Sequence, residues 1–471
     1  MIFKGNHKLK LLLIGLILSI CSIFQMGYSN AYVNTAIDKF KVFLNESYHS
    51  DNKVMENNTY YWLWSLILNV WFLGFCIGTW ISIPISDYFG RKPGLLFANM
   101  ITIVSVSIMG VSILKKSILL LIFGRVLSAI GAGIAMSSLI LFLQEIAPLN
   151  LRGTLSFYSE LSFVSTNAIG AFMGMPRILG DNLFALIMIA TIPSVIIILI
   201  LFFLYETPLF LYSAKKDEKK ALKSLSYYHG TNDKILQLRF LMNNTSEKGQ
   251  KLSINLFKDL FTIPYYRKGL VLGLLALQVT CSIWPIIYYS TEFLIKTNVN
   301  EDMAKIFSTT MLIVSVLATF LGQHVVERMP RRPLFITVSI INTLALFSFW
   351  FFDQLRFYTS IDFFKYGCVA AIFLHGITYS FATGPIAWFI EAELIPISHR
   401  LLAQTLCLST NHIVALIITF VTLPLYNIIG SYTIIILYVL PATCSLIWLF
   451  KYLPETKDKT SLEVIELLKM K

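Results

Sequence analysis

Charge is scarce in this chain of 471 residues. Asp, Glu, Lys and Arg make up 14% of it, where a soluble domain carries roughly 25%. That is too little to solvate the surface of a water-soluble globule. Cysteine is scarce as well. Cys21, Cys76, Cys281, Cys368, Cys407 and Cys444 show no spacing suited to a metal site or a disulfide framework, and are read as small core residues. No nucleophile–base set and no phosphate-cradling glycine loop is found, which argues against an enzyme and implies no cofactor.

Apolar sequence is abundant. Fifty-six per cent of the residues are hydrophobic, so the composition is that of a membrane protein. Twelve stretches reach the roughly 20 residues that a membrane helix needs. They lie near 11–33, 61–85, 93–113, 118–144, 155–176, 183–204, 269–294, 303–325, 333–352, 364–390, 401–424 and 430–451. The expected fold is all-α and polytopic, with twelve transmembrane helices in two six-helix bundles. The expected domains are 1–204 (first bundle), 205–268 (linker with short amphipathic helices), 269–451 (second bundle) and 452–471 (tail). Lys8-Leu-Lys10 and the apolar run after it resemble a signal peptide, but no small-x-small cleavage site follows, so an uncleaved first helix is expected.

The net charge of +12 does not point to nucleic acid. With both termini and 205–268 cytoplasmic, 27 Lys and Arg fall on cytoplasmic segments and 11 towards the other side. This is the positive-inside bias, and it orients the chain. A basic face beside anionic lipid accounts for the charge.

Three marks recur in order, offset by about 240 to 250 residues, which is the signature of duplication. Glu145-Ile-Ala-Pro148-Leu-Asn-Leu-Arg152 returns as Glu393-Leu-Ile-Pro396-Ile-Ser-His-Arg400. Asp87-Tyr-Phe-Gly90-Arg91-Lys92 is matched by Glu327-Arg328-Met-Pro-Arg331-Arg332, and Tyr205-Glu206-Thr207-Pro208 by Pro454-Glu455-Thr456-Lys457. A membrane chain of two like halves suggests a transporter with its site between them. Asp87, Arg91, Glu145, Arg152, Glu206, Glu327, Arg328, Arg331, Arg332, Glu393, Arg400 and Glu455 all fall at expected cytoplasmic helix ends. Charge so near a bilayer needs pairing, so these residues are expected to form latches whose making and breaking gates a cavity.

The outer loop 34–60 holds two glycosylation sequons, at Asn45 and Asn57. In the central loop, Leu209–Tyr228 is expected to form a basic amphipathic helix, and Ile235–Met242 a second short one.

These marks, with Gly124-Arg125, Tyr288-Tyr289-Ser290-Thr291 and Gly384-Pro385-Ile386-Ala-Trp388-Phe389, resemble the sugar-porter branch of the major facilitator superfamily. The likeness is greatest to animal facilitative glucose transporters and runs from about Gln25 to Thr460. It implies passive hexose transport by alternating access. In that family amides, other polar groups and a tryptophan hold the sugar. Amides both donate and accept hydrogen bonds, as sugar hydroxyls do, and an aromatic ring packs on the sugar's C–H face. The resemblance places Gln278, Trp388, Asn411 and Asn34 at the substrate, with Tyr379 where the family usually has Phe.

The chain departs from the family at several positions. Val279 and Trp284 replace an amide each, Ser315 stands for an Asn, and Ser380 for an acidic residue. His412 stands for a Trp, Ala415 for a frequent Asn, and Glu160 for a sugar-binding Gln. Ile83 replaces a Gly, and Tyr205-Glu-Thr-Pro-Leu209 lacks the family's leading Pro and its Arg. The site thereby becomes narrower and more aromatic, with Trp284 added, and D-glucose is expected to be a poor substrate. A protonated Glu160 would mimic the amide it replaces.

The expected function is facilitative uniport of a hexose or similar polyol across the plasma membrane. The alternatives are a proton-coupled symporter using Glu160, and a non-transporting sensor. Symporters of the family typically carry an Asp after the Tyr of the first helix. Ser29 follows Tyr28 here, which favours passive transport.

Overall fold

An apolar segment in a bilayer folds as a helix because no water is there to satisfy its backbone. A computed structural model of the chain describes residues 5–48, 56–148, 151–230, 254–457, 459 and 461–470. These residues form helices and no strands. The first span is bent by 48° between α1 (Gly5–Ser22) and α2 (Phe24–Thr35). Next come α3 (Ile37–Tyr48), α4 (Asn57–Tyr88), α5 (Arg91–Leu114), α6 (Ile118–Ile146) and α7 (Arg152–Met173). The pair α8 (Leu183–Met188) and α9 (Thr191–Phe203) closes the first bundle, and α10 (Pro208–Ser213) and α11 (Glu218–His229) lie beyond it.

A short α12 (Ile254–Thr262) precedes the second bundle. Its helices are α13 (Pro264–Thr280) with α14 (Ile283–Lys296), α15 (Glu301–Arg328), α16 (Arg331–Thr359), α17 (Lys365–Thr378) with α18 (Gly384–Leu394), and α19 (Ile397–Ile429). The last span ends in α20 (Leu440–Tyr452), and α21 (Ser461–Met470) follows.

Among the described residues, ten spans pass a test of length and hydropathy, and the bent α1–α2 pair is an eleventh. The twelfth expected span, α7, falls short of that test because Ser156, Ser159, Glu160, Ser162, Ser165, Thr166 and Asn167 crowd it. Polar residues on a membrane helix belong in the protein interior. Glu160, Ser162, Thr166 and Asn167 are indeed buried.

Lipid supplies no hydrophobic drive between helices, so close packing must hold them together. Gly74 and Gly78, one turn apart on α4, let it press on α6; a Cβ at Gly74 would stand 2.5 Å from the Val126 carbonyl. Gly170 does the same for α2 and α7, where the Tyr28 carbonyl lies 2.5 Å from a would-be Cβ. The bundles meet through α4 with α19, α7 with α15, and α2 with α14.

Three details differ from the sequence expectations, and a fourth expectation falls outside the description. Residues 34–60 include the amphipathic helix α3, which buries Ile37, Phe40, Phe43 and Leu44. The helix expected over 209–228 is two, because Asp217 caps a fresh start by accepting from the Lys220 N–H at 3.0 Å. Ile235–Met242 lies outside the described residues. Cys444 is exposed rather than in the core, on a face of the last span turned away from the bundle.

Candidate functional site

The three repeated marks converge at one end of each bundle, hereafter the latch face. In the first bundle the Arg91 guanidinium donates to Glu145 at 2.8 Å, and both side chains are buried. Thr207 Oγ1 donates to the other oxygen of Glu145 at 2.5 Å. Glu206 accepts from the backbone N–H groups of Arg91, Lys92 and Thr207, so it sits on the N-terminus of α5. Gly90 makes this fit possible. Its φ of +113° suits glycine, and a Cβ there would run into the Glu206 carboxylate.

The second bundle repeats the pattern. Arg331 pairs with Glu393, and Glu455 accepts from the N–H groups of Arg331 at 2.9 Å and Arg332 at 3.1 Å. Burial, against its backbone donors, pushes the Glu206 carboxyl above the usual glutamate range. Burial also raises Glu455, but the N–H groups of Lys457, Arg331, Arg332 and Thr456 outweigh it and hold that carboxyl below the range.

These bonds join groups within a bundle, not across the two. Glu327 and Arg328 are exposed, and the Arg328 carbonyl accepts from Lys457 Nζ at 2.5 Å. Asp87 lines a narrow crevice of about 60 Å³ between α4, α6 and α19, whose lining is mostly apolar, with Phe75, Met136 and Leu408 beside Gln144 and Gln404. The side chains of Arg152, Arg400 and Asn57 lie outside the description. Asn45 is half-buried on α3.

At the opposite end the bundles are sealed to each other. Asn34 Nδ2 donates to Ser290 Oγ at 2.8 Å, and its Oδ1 accepts from the Thr291 N–H at 3.2 Å. Tyr288 Oη donates to Asn30 Oδ1 at 3.2 Å. Asn34 is thus committed to the seam and stands apart from the centre of the molecule. Lys305 of α15 pairs with Asp38 of α3, a cross-bundle contact that the sequence reading missed.

The centre is aromatic. Trp284 packs edge-on against Phe72, ring centroids 5.0 Å apart, and lies 5.6 Å from Trp71. His412 stacks on Phe75 at 4.4 Å and lies 6.0 Å from Trp284 and 6.2 Å from Trp388. Trp71, Phe72 and Phe75 were also missed. Their signal was the i, i+4 spacing of Trp71 and Phe75, which shares one face of α4.

Tyr379 begins a π turn, Tyr379–Thr383. A Cβ at Gly384 would meet its ring at 2.7 Å, so the glycine makes room for it. Tyr379 lies in the neighbourhood of Glu160. Glu160 is 7% exposed, and its Oε1 has no partner.

Gln278 and Asn411 meet at Cys281. Asn411 Nδ2 donates to the Leu277 carbonyl at 3.0 Å and lies 3.2 Å from Cys281 Sγ, which lies 3.7 Å from Gln278 Oε1. Asn411 therefore ties α19 to α13, whereas Gln278 is half-buried. Ser315 is buried against Met311. Arg125 is 3% exposed, and its Nη1 reaches the Ser29 carbonyl at 3.5 Å.

Comparison with known proteins places this architecture. Mouse solute carrier family 2, facilitated glucose transporter member 5, is 28% identical over 476 residues, spanning 99% of this chain and 93% of the mouse protein. Rabbit facilitated glucose transporter member 3 is 26% identical over 444 residues, spanning 93% of this chain and 88% of the relative. A structure of the major facilitator superfamily proton:xylose symporter XylE bound to 6-bromo-6-deoxy-D-glucose superposes with a TM-score of 0.76. It covers 98% of this chain and 99% of its own at 16% identity. The fold is thus the major facilitator fold, twelve helices in two bundles. The relatives are transporters, not enzymes. Residues 14–468 match the model of the family described as "Sugar (and other) transporter", and the chain belongs to that family.

Proposed function

We propose that this protein is a facilitative uniporter of a hexose or similar polyol, working by alternating access in the plasma membrane. One observation carries the passive reading. Arg125 is a buried cation that reaches the carbonyl of Ser29, where no carboxylate side chain stands. Proton coupling needs an ionisable group in the cavity, and Ser29 supplies none beside Arg125. The relatives' printed names, facilitated glucose transporters, support the same reading.

The latch face, with both termini and 205–268, is assigned to the cytoplasm on the charge bias of the loops. The bundles 1–204 and 269–451 rock about the centre, with Gln278, Trp284, Trp388, Tyr379 and Glu160 at the ligand. Asn34 closes the far side behind it, and Asn411 holds the α13–α19 wall. The charged marks, Arg152 and Arg400 included, stiffen each bundle's latch face. Asn45 and Asn57 are the glycosylation candidates on the far side.

The symport reading rests on Glu160, a buried carboxylate in the centre. Uptake by proteoliposomes, with and without a pH gradient and with a proton-flux readout, decides between them. Saturable uptake that the gradient leaves unchanged is the expected result. Proton movement stoichiometric with sugar, lost in Glu160→Gln, would replace uniport with symport.

A further inference from the structure

The centre of the molecule holds buried acceptors without partners, beside the unpartnered indole N–H donors of Trp71 and Trp388. Glu160 Oε1 is buried with no partner, and no Lys, Arg or His forms an ion pair with Glu160 among the described residues. His412 Nδ1 lies 2.8 Å from the Leu408 carbonyl, which can only accept. The imidazole proton therefore sits on Nδ1, and Nε2 presents a lone pair. That atom, too, is buried without a partner. The two elements belong to different bundles, and aromatic rings link them. Phe163, one turn along α7 from Glu160, lies 5.9 Å from Trp284. Trp284 leads to His412, and His412 to Trp388.

An ionised carboxylate inside a membrane costs at least about 2.5 kcal/mol on insertion scales, unless something neutralises it. A neutral hexose brings nothing to do so and leaves a proton to be found. An ammonium brings the charge and three donors. Indole and phenol faces attract cations, and they also stack on the C–H face of a pyranose. One small molecule satisfies all three features: a hexose that carries a protonated amine.

We propose that the preferred substrate is an amino sugar, its ammonium held by Glu160, a ring hydroxyl by His412 Nε2, and its ring face packed on Trp284 and Trp388. This rests on the transporter reading and narrows its substrate class. It also gives a physical use for the Gln-to-Glu departure at position 160, which a neutral sugar does not need.

The test is uptake of radiolabelled glucosamine, glucose and N-acetylglucosamine at one pH by the full-length protein in proteoliposomes. N-acetylation removes the charge and keeps the ring. Glucosamine should exceed both others in kcat/KM by about ten-fold or more, and Glu160→Gln should collapse that ratio to within about two-fold. If the variant fails to fold, thermal stabilisation of the wild-type protein by glucosamine, but not by the other two sugars, gives the same information. Glucose uptake equal to or above glucosamine uptake, or a preference that survives Glu160→Gln, overturns the amino-sugar proposal and leaves the transporter standing. No uptake of any of the three, with no stabilisation by any, overturns the amino-sugar proposal, and no uptake of other hexoses and polyols in the same proteoliposomes overturns the transporter reading as well.

Discussion

Lys305 on α15 pairs with Asp38 on α3, so a buried ammonium of one bundle is neutralised by a carboxylate of the other. Glu301, one turn before Lys305, accepts from the same ammonium at 2.6 Å. The bundles are therefore tied electrostatically at the face opposite the latches, next to the Asn34 seam. Asp38 is half-exposed, which reduces what the pair contributes.

Asp38→Asn should loosen this face by about 1 kcal/mol, since Glu301 still neutralises Lys305. Thiol labelling of a single cysteine placed beside Asn34 reads the change, and labelling should rise a few-fold. Lys305→Gln should do the same. Labelling equal to wild type in both variants would show that the seam holds without the ion pair.

The two arginine latches should differ in strength. Arg91 and Glu145 are 8% and 7% exposed, whereas Arg331 and Glu393 are 25% and 26% exposed. Breaking a buried pair leaves an uncompensated charge and costs roughly 3–5 kcal/mol, while an exposed pair is worth about 0–1 kcal/mol. Arg91→Ala should thus lower thermal stability clearly more than Arg331→Ala. Equal losses would mean that the second pair is effectively as dry as the first.

Glu206 and Glu455 occupy matching places and should respond oppositely to pH. The folded state raises Glu206, so it binds that proton more tightly than the unfolded chain does. Its ionisation takes stability away as pH rises past the ordinary glutamate value. The folded state lowers Glu455, so its contribution is present above the ordinary value and is lost as pH falls through the depressed one. Glu206→Gln should be neutral or stabilising at pH 7, and Glu455→Gln should cost about 1 kcal/mol. Melting from pH 4 to 8 checks both, and a reversed order would reject the assignment.

His229 should make α11 docking sensitive to acid. Burial holds its pKa below the ordinary histidine value, despite the Ile146 carbonyl 2.9 Å from Nε2. A lowered histidine favours the docked state while neutral. Docking is complete above about 6.5, the unperturbed value, and weakens as pH falls through it. After correction for intrinsic rates, hydrogen exchange over 218–229 should be faster at pH 5.5 than at 7.5. The difference should vanish in His229→Gln; a pH-independent helix would refute it.

Gln278 and Asn411 look alike in sequence and should behave differently. Gln278→Ala should raise the half-saturation concentration by about an order of magnitude, from one or two lost hydrogen bonds. Asn411→Ala should instead lower stability, because its amide bonds the Leu277 carbonyl. Unchanged transport kinetics in Gln278→Ala would move the site elsewhere.

The twelve spans and the bundle pairing were legible because hydropathy and duplication are written in residue types. Even α7, too polar for a hydropathy test, was read as an apolar stretch of spanning length at 155–176. The repeated marks announced themselves as partners by sign and order. Their partners were less legible. Glu206 and Glu455 bind backbone N–H groups at helix starts, and a backbone donor leaves no trace in the sequence. Pro396-Ile-Ser-His-Arg400 promised a latch, but only packing placed Arg331 on Glu393.

The centre was the least legible. Trp284 and Glu160 stood out as departures, yet Trp71, Phe72 and Phe75 looked like ordinary membrane-helix residues. Sequence by itself determined that a transporter-like pair of bundles would form, and the family resemblance marked Val279, Trp284 and Ser315 as departures from amides. Tertiary structure alone decided what replaced them. Helices from opposite bundles meet there, far apart in the chain, and Glu160 and His412 become buried only once those helices pack.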